Sequence, residues 1–261
     1  MKLNTLAVIG AGNLAASVVP ALKKSGVKIT GIYSRTYEHA VSLAERVDAP
    51  AVHSIPELET ADFYLLSVTD NCIKETASLL GKITGRDSIV VHTSGSTDIN
   101  VLEPYCQNYG ALYPFQTFSA AKPITDFSSV PVFIEASSEP VLMKLRELSE
   151  KISGKVSELD SGKRMGLHIA GAFSCNFVNS LLSCAFDICT EFGIDPCNLK
   201  PLVEKTVEKA FDSGNPVEVQ TGPAVRKDMV TVEKHLKFLQ ANPGLQKVYV
   251  TMSEYIINTI K

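Results

Sequence analysis

The sequence predicts an α/β fold: an N-terminal domain with a doubly wound parallel sheet over residues 1–153, followed by an all-α domain over 154–261. Three observations carry this. Up to about residue 153, short apolar runs alternate with amphipathic helical stretches, the pattern of repeated βα units. Beyond it the strand signal is lost and only helical periodicity remains. A glycine-rich turn joins the first strand to the first helix at the very start of the chain.

Residues 6–9 (Leu-Ala-Val-Ile) are a continuous apolar run ending in Gly10, as a strand buried on both faces reads. A helix follows over 14–25 and stops at Gly26, with Pro20 inside it as an expected kink. Strands are predicted at 28–33, 63–68, 88–92, 110–113 and 132–135, and helices at 37–46, 71–81 and 139–153. The stretch 164–192 carries Leu167, Ile169, Phe173, Phe177, Leu181, Phe186 and Phe192, which cover most of a helix circumference. A helix apolar nearly all round must be buried. Further helices are expected at 198–213, 230–240 and 245–260, too few to enclose so long a helix.

Apolar residues make up 45% and charged residues 20%, which excludes a disordered chain, a collagen-like fibre and a coiled coil. With 25 basic and 28 acidic residues the net charge is −3, and no positive field invites nucleic acid. No unbroken apolar run approaches the ~20 residues of a membrane span, and no leader pattern precedes the first strand. A cytoplasmic protein with no membrane partner is the expectation. The six cysteines lack Cys-x-x-Cys spacing and read as packing thiols rather than metal ligands.

Gly10-Ala11-Gly12-Asn13-Leu14-Ala15 is G-x-G-x-x-A between a strand and a helix, the context a dinucleotide fingerprint requires. Gly10 permits the turn and Gly12 lets backbone approach a pyrophosphate. Asn13 and Leu14 open the helix whose N-terminus faces it. An NAD site places Asp or Glu about 20 residues on. Here Tyr33-Ser34-Arg35-Thr36 stands instead, so Ser34 and Arg35 favour the 2′-phosphate of NADP. Ligands lie at the carboxyl ends of such strands. There Ser67, Val68 and Thr69 are expected beside the nicotinamide ribose. His92 with Ser94, Gly95 and Ser96, and Gln116 with Thr117, are expected around the substrate.

These motifs, with the segment Thr221-Gly222-Pro223-Ala224-Val225-Arg226-Lys227-Asp228, resemble a group of Rossmann-like NADP oxidoreductases of the deazaflavin-dependent type. That group is related to pyrroline-5-carboxylate reductase and, more distantly, to the 3-hydroxyacid and 6-phosphogluconate dehydrogenases. The resemblance covers nearly the whole chain. It implies NADP as cofactor, a helical second domain that forms a homodimer, and an active site between domains. Lys163, His168 and Asn176 are then the second domain's catalytic candidates, beside His92, and Thr221 and Arg226 reach towards a small, anionic substrate. The 3-hydroxyacid dehydrogenases carry Lys followed four residues later by Asn; Leu167 stands four after Lys163, so that pair is missing. His168 and Asn176, eight residues apart, lie about 12 Å apart along a helix. Two mechanisms fit: hydride delivery from NADPH to C=N or C=O with His92, Lys163 or His168 as proton donor, or oxidation of a hydroxy acid with Lys163 or His168 as base. A redox-sensing NADP-binding module without turnover is the third reading.

Overall fold

The computed structural model describes residues 4–259. Its contacts divide the chain into two compact units, Met1–Cys175 and Asn176–Lys261. The division falls later than the composition shift at 153, because the first unit keeps an additional strand and helix.

The first unit runs β1 (Thr5–Ile9), α1 (Ala15–Lys24), β2 (Lys28–Tyr33), α2 (Tyr37–Val47), β3 (Ala51–Val52), β4 (Phe63–Leu66), α3 (Asp70–Leu80), β5 (Ile89–His92), β6 (Asn108–Pro114), β7 (Val132–Ala136), α4 (Glu139–Glu150), β8 (Val156–Glu158) and α5 (Ser161–Gly171). The sheet order is β3-β2-β1-β4-β5-β6-β7-β8. Alternation along β1 shows why both faces are covered. Leu6 and Val8 enter one core with Val18, Leu22, Leu43 and Leu145, while Ala7 and Ile9 enter the other with Ile73, Leu80 and Leu102. Each such Val, Leu or Ile side chain fully buried contributes ~1.5–3 kcal/mol. Pro20 lies within α1 without ending it.

Three features depart from a wholly parallel sheet read from strand signals. β7 pairs antiparallel with β6, from Gly110↔Ala136 to Pro114↔Val132. The connection between them contains no crossover helix, and a parallel return needs one. β3, of two residues, and β8, of three, are edge strands too short to show alternation.

The predicted helix over 164–192 starts earlier, at Ser161, and is not uniform. α5 gives way to a π turn, Ala172–Asn176, before α6 (Phe177–Glu191). Ser161–Glu191 is long and apolar enough to cross a membrane by length and composition, with a mean hydropathy of 1.4 in its most apolar window. No apolar run within it is unbroken over such a length, as the sequence reading expected. Small apolar residues such as Ala172, Cys175 and Cys184 keep the mean hydropathy up between the larger side chains, although polar residues break every run. Length and composition alone do not place it in a bilayer.

The second unit comprises α6, α7 (Lys200–Asp212), α8 (Met229–Phe238) and α9 (Pro243–Thr259), with short 3-10 turns between. Ile260, the end of the helix expected over 245–260, lies outside the described residues. The rings of Phe192 and Phe238 meet at 5.0 Å. Cys106 and Cys189 are buried as packing thiols, whereas Cys197 is exposed.

Candidate functional site

A cavity of about 380 Å³ opens at the carboxyl ends of β1, β2 and β4. Gly10, Gly12, Ser34, Arg35, Thr36, Ser67, Val68 and Thr69 line it, as do His39 and Cys72, which the sequence reading did not select. Gly10 has φ +98°, and a Cβ on it would stand 2.1 Å from the Ser67 carbonyl oxygen. The turn therefore tolerates only glycine while β4's loop stays in place. A Cβ on Gly12 would meet no protein atom within 4 Å, so it faces the open cavity. No side chain caps the N-terminus of α1. Its first N–H groups and the helix dipole make a cradle for a phosphate. These residues fit a dinucleotide. Leu14, at the cap position, is half-buried and packs against the core rather than into the cavity. Asn13 uses its Oδ1 to accept from the Ala120 amide at 3.0 Å, which ties the loop after β6 to the glycine turn.

The loop after β5 is built by its own side chains. Ser94 is buried, and its hydroxyl accepts from the amides of Ser96, at 3.1 Å, and Thr97, at 3.0 Å. It also donates to Thr97 Oγ1 at 2.9 Å. The Ser96 hydroxyl bonds the Asp70 carboxylate, linking this loop to the one that lines the cavity through Thr69. Under the loop lies Arg164, 1% exposed. It donates to the carbonyls of Ser94, at 3.1 Å, and Thr97, at 2.6 Å, and pairs with Glu135 on β7. The Ser161 hydroxyl joins the same carboxylate at 2.7 Å. A buried arginine must find such partners. This hub binds α5 to the sheet and keeps α5 in the first unit.

His92, Lys163 and His168 have different surroundings. His92 is fully buried at the end of β5; Nδ1 accepts from the Ser94 amide at 3.2 Å, while Nε2 is buried without a partner. Burial, then the Arg164 charge, lowers its pKa to about 4, so it is neutral at pH 7. Such a ring is sealed from a substrate and is a poor proton donor, which corrects the expectation that it faces the crevice. The unfolded chain binds more protons than the folded one between pH ~4 and ~6.5. Stability is thus full above pH ~6.5 and falls as pH drops towards ~4, by up to about 3 kcal/mol. Urea melts at several pH values should show this slope in the wild type and lose it in His92→Asn.

Lys163 is also corrected. Its side chain is 74% exposed and pairs with Asp160 at 3.0 Å in the first turn of α5. Arg164, its neighbour, takes the inward position. His168 is exposed, and its Nδ1 lies 3.0 Å from the Tyr113 hydroxyl. Gly95 packs against both, since a Cβ on it would stand 2.6 Å from His168 Nδ1 and 2.8 Å from the Tyr113 oxygen. The sequence reading placed Tyr113 at the end of a strand and gave it no role at the site. Gln116 folds back, its Oε1 accepting from the Thr117 amide at 2.8 Å, and both residues are exposed.

The comparisons with known proteins agree with this geometry. Residues 5–95 match the family described as NADP oxidoreductase, coenzyme F420-dependent, and residues 130–256 match a domain of unknown function, DUF2520. The crystal structure of the "putative NADP oxidoreductase BF3122" from Bacteroides fragilis is 34% identical, covers 98% of each chain and superposes with a TM-score of 0.92. The chain belongs to this NADP oxidoreductase family. A reductive aminase from Aspergillus terreus, solved with NADPH and ethyl levulinate, shares the fold at 12% identity and TM-score 0.73, covering 99% of this chain and 94% of its own. An imine reductase from Myxococcus stipitatus, solved with NADP+, does so at 15% identity and TM-score 0.69, covering 98% and 92%. No curated protein matches the chain.

Within the family fold, the remaining candidates belong to the second unit. Asn176 is exposed at the end of the π turn. Thr221 and Arg226 are exposed on the turn before α8, where Gly222 (φ 113°) and Lys227 (φ 54°) bend the backbone. Asp228 caps α8, accepting from the Thr231 amide at 3.1 Å and hydroxyl at 2.7 Å. Those bonds, with a smaller contribution from Arg226, hold its carboxyl below the usual range.

Proposed function

We propose that the chain is an NADP-dependent oxidoreductase that transfers hydride between NADPH and a small substrate bearing C=N or C=O. The observation that carries this reading is the donor set at the end of β2. Ser34, Arg35 and Thr36 border the cavity where an NAD enzyme keeps a carboxylate, and His39 joins them from the first turn of α2. Gly10, Gly12 and the start of α1 hold the pyrophosphate, and Ser67, Val68 and Thr69 flank the nicotinamide ribose. Bound NADPH supplies the hydride. His168 supplies the proton to the substrate heteroatom, since His92 is sealed and Lys163 is held in solvent by Asp160. The same pairing of Lys163 weighs against a hydroxyacid dehydrogenase that uses it as base.

Ser96, Gln116 and Thr117 are assigned to the substrate. Loss of NADPH absorbance in the presence of imines, keto acids and deazaflavins tests the reading. Turnover of an imine or carbonyl compound is expected. Tight NADPH binding with no turnover of any class would instead make the chain a redox-sensing module.

Arg35→Ala should weaken NADP binding by roughly 1.5–3 kcal/mol, the range for hydrogen bonds to charged groups, and leave NAD nearly unchanged. Equal loss for both, by calorimetric titration, contradicts the assignment. We further propose a homodimer through α6. Phe186 is 46% and Leu181 39% exposed in the single chain, on a helix too apolar for a free surface. An obligate interface should bury more than ~2,000 Å². Sedimentation at micromolar concentration should find a dimer, and a stable monomer contradicts it. Six unpaired thiols suit a reducing cytoplasm.

A further inference from the structure

We propose that Tyr113 is a positioning residue that holds His168 in one orientation, its phenol oxygen accepting from Nδ1–H so that Nε2 alone exchanges a proton with substrate. This rests on the oxidoreductase reading and adds to it a tautomer and a residue that builds it.

The geometry is specific. Tyr113 is the penultimate residue of β6, and its hydroxyl sits 3.0 Å from His168 Nδ1 on α5. Tyr113 is buried and His168 exposed, so the phenol is the fixed member and the imidazole edge is the one that reaches solvent. Burial also pushes the Tyr113 pKa up, which keeps the phenol neutral. Both groups press on Gly95, where any side chain would displace them. Neighbouring Ser96 is bonded to Asp70, and Asp70 adjoins Thr69 on the cavity wall. The pair is therefore tied, through Gly95, Ser96, Asp70 and Thr69, to the nicotinamide end of the dinucleotide cavity. Arg164, one helical turn before His168, fixes α5 against the same loop.

The hydrogen bond made by one ring nitrogen decides what the other can do. In the protonated ring, Nδ1–H donates to Tyr113 and Nε2–H faces outward. When the C=N or C=O carbon gains hydride, its π bond breaks and the electron pair goes to the heteroatom, which takes the Nε2 proton. The neutral ring keeps its proton on Nδ1, still held by the phenol. Solvent at the exposed edge then returns a proton to Nε2.

The test is nitrogen NMR of His168 across a pH titration, on the full chain with and without NADPH. The neutral ring should be predominantly the Nδ1–H tautomer in the wild type. Tyr113→Phe and Gly95→Ala should both shift it towards the Nε2–H form that free histidine favours. Tyr113→Phe keeps the ring packing, and Gly95→Ala keeps both polar groups while parting them. A wild-type ring protonated on Nε2, or variants with an unchanged tautomer, overturns the proposal. On whichever imine or carbonyl compound the wild type reduces, both variants should lose roughly 10- to 100-fold in kcat, as small misplacements do, with a displaced alkaline limb of the pH profile and unchanged NADPH affinity. A wild type that reduces nothing defeats the oxidoreductase reading, while the tautomer still decides the role of Tyr113.

Discussion

Arg164→Met should destabilise the protein by about 3–5 kcal/mol, the range for removing one partner of a buried ion pair. The substitution leaves the Glu135 carboxylate, 18% exposed, facing the vacated space, and strips donors from the carbonyls of Ser94 and Thr97. Each of those buried acceptors costs the desolvation it had been spared. For a chain of this size the midpoint of thermal unfolding should fall by roughly 6–20 °C. The double variant Arg164→Met with Glu135→Met should recover part of the loss, because the uncompensated charge is gone. Differential scanning calorimetry of the three proteins measures both effects. A single variant as stable as the wild type would mean that α5 is held by packing alone.

The second large effect concerns two glycines two residues apart. Gly10→Ala places a Cβ against the backbone of Ser67, 2.1 Å from its oxygen, at a φ of +98°. Neither the β4 loop nor the turn can yield cheaply, because Ser67 N is itself bonded to the Ile9 carbonyl at 2.7 Å. Strain of this kind costs of order 1–3 kcal/mol, and dinucleotide binding should be lost with it. A Cβ on Gly12 meets no protein atom within 4 Å, so Gly12→Val should fold normally. Its side chain would occupy the space meant for the pyrophosphate, so affinity for NADPH and NADH alike should fall more than about 100-fold, or ~2.8 kcal/mol. A Gly12→Val protein that binds NADPH as well as the wild type would place the dinucleotide elsewhere.

Much of this was legible from the residues. The run at 6–9, the G-x-G-x-x-A turn and Ser34-Arg35 define β1, α1 and β2 within a residue or two, because strand period, turn glycine and helix start are all local signals. The direction of β7 was not local, since it depends on the lack of a helix between β6 and β7. The π turn was hidden for a similar reason: large apolar residues lie on most of the circumference around it, so no single stripe marks a change of phase. At the site, chemistry-bearing residue types were found but their roles were not. Lys163 and Arg164 are adjacent cations, and only the packing of α5 shows that the second is the buried one. Tyr113 was read as the end of a strand and His168 as part of a helix; their pairing spans 55 residues.

The measurement that tests the account most directly is calorimetric titration of the wild-type protein with NADPH and, separately, NADH. The cavity at the ends of β1, β2 and β4 should give one site per chain for NADPH, with NADH bound at least about tenfold more weakly, a difference of ~1.4 kcal/mol. Arg35→Ala should close that gap. Equal affinity for the two dinucleotides, or no binding of NADPH, would contradict the central claim.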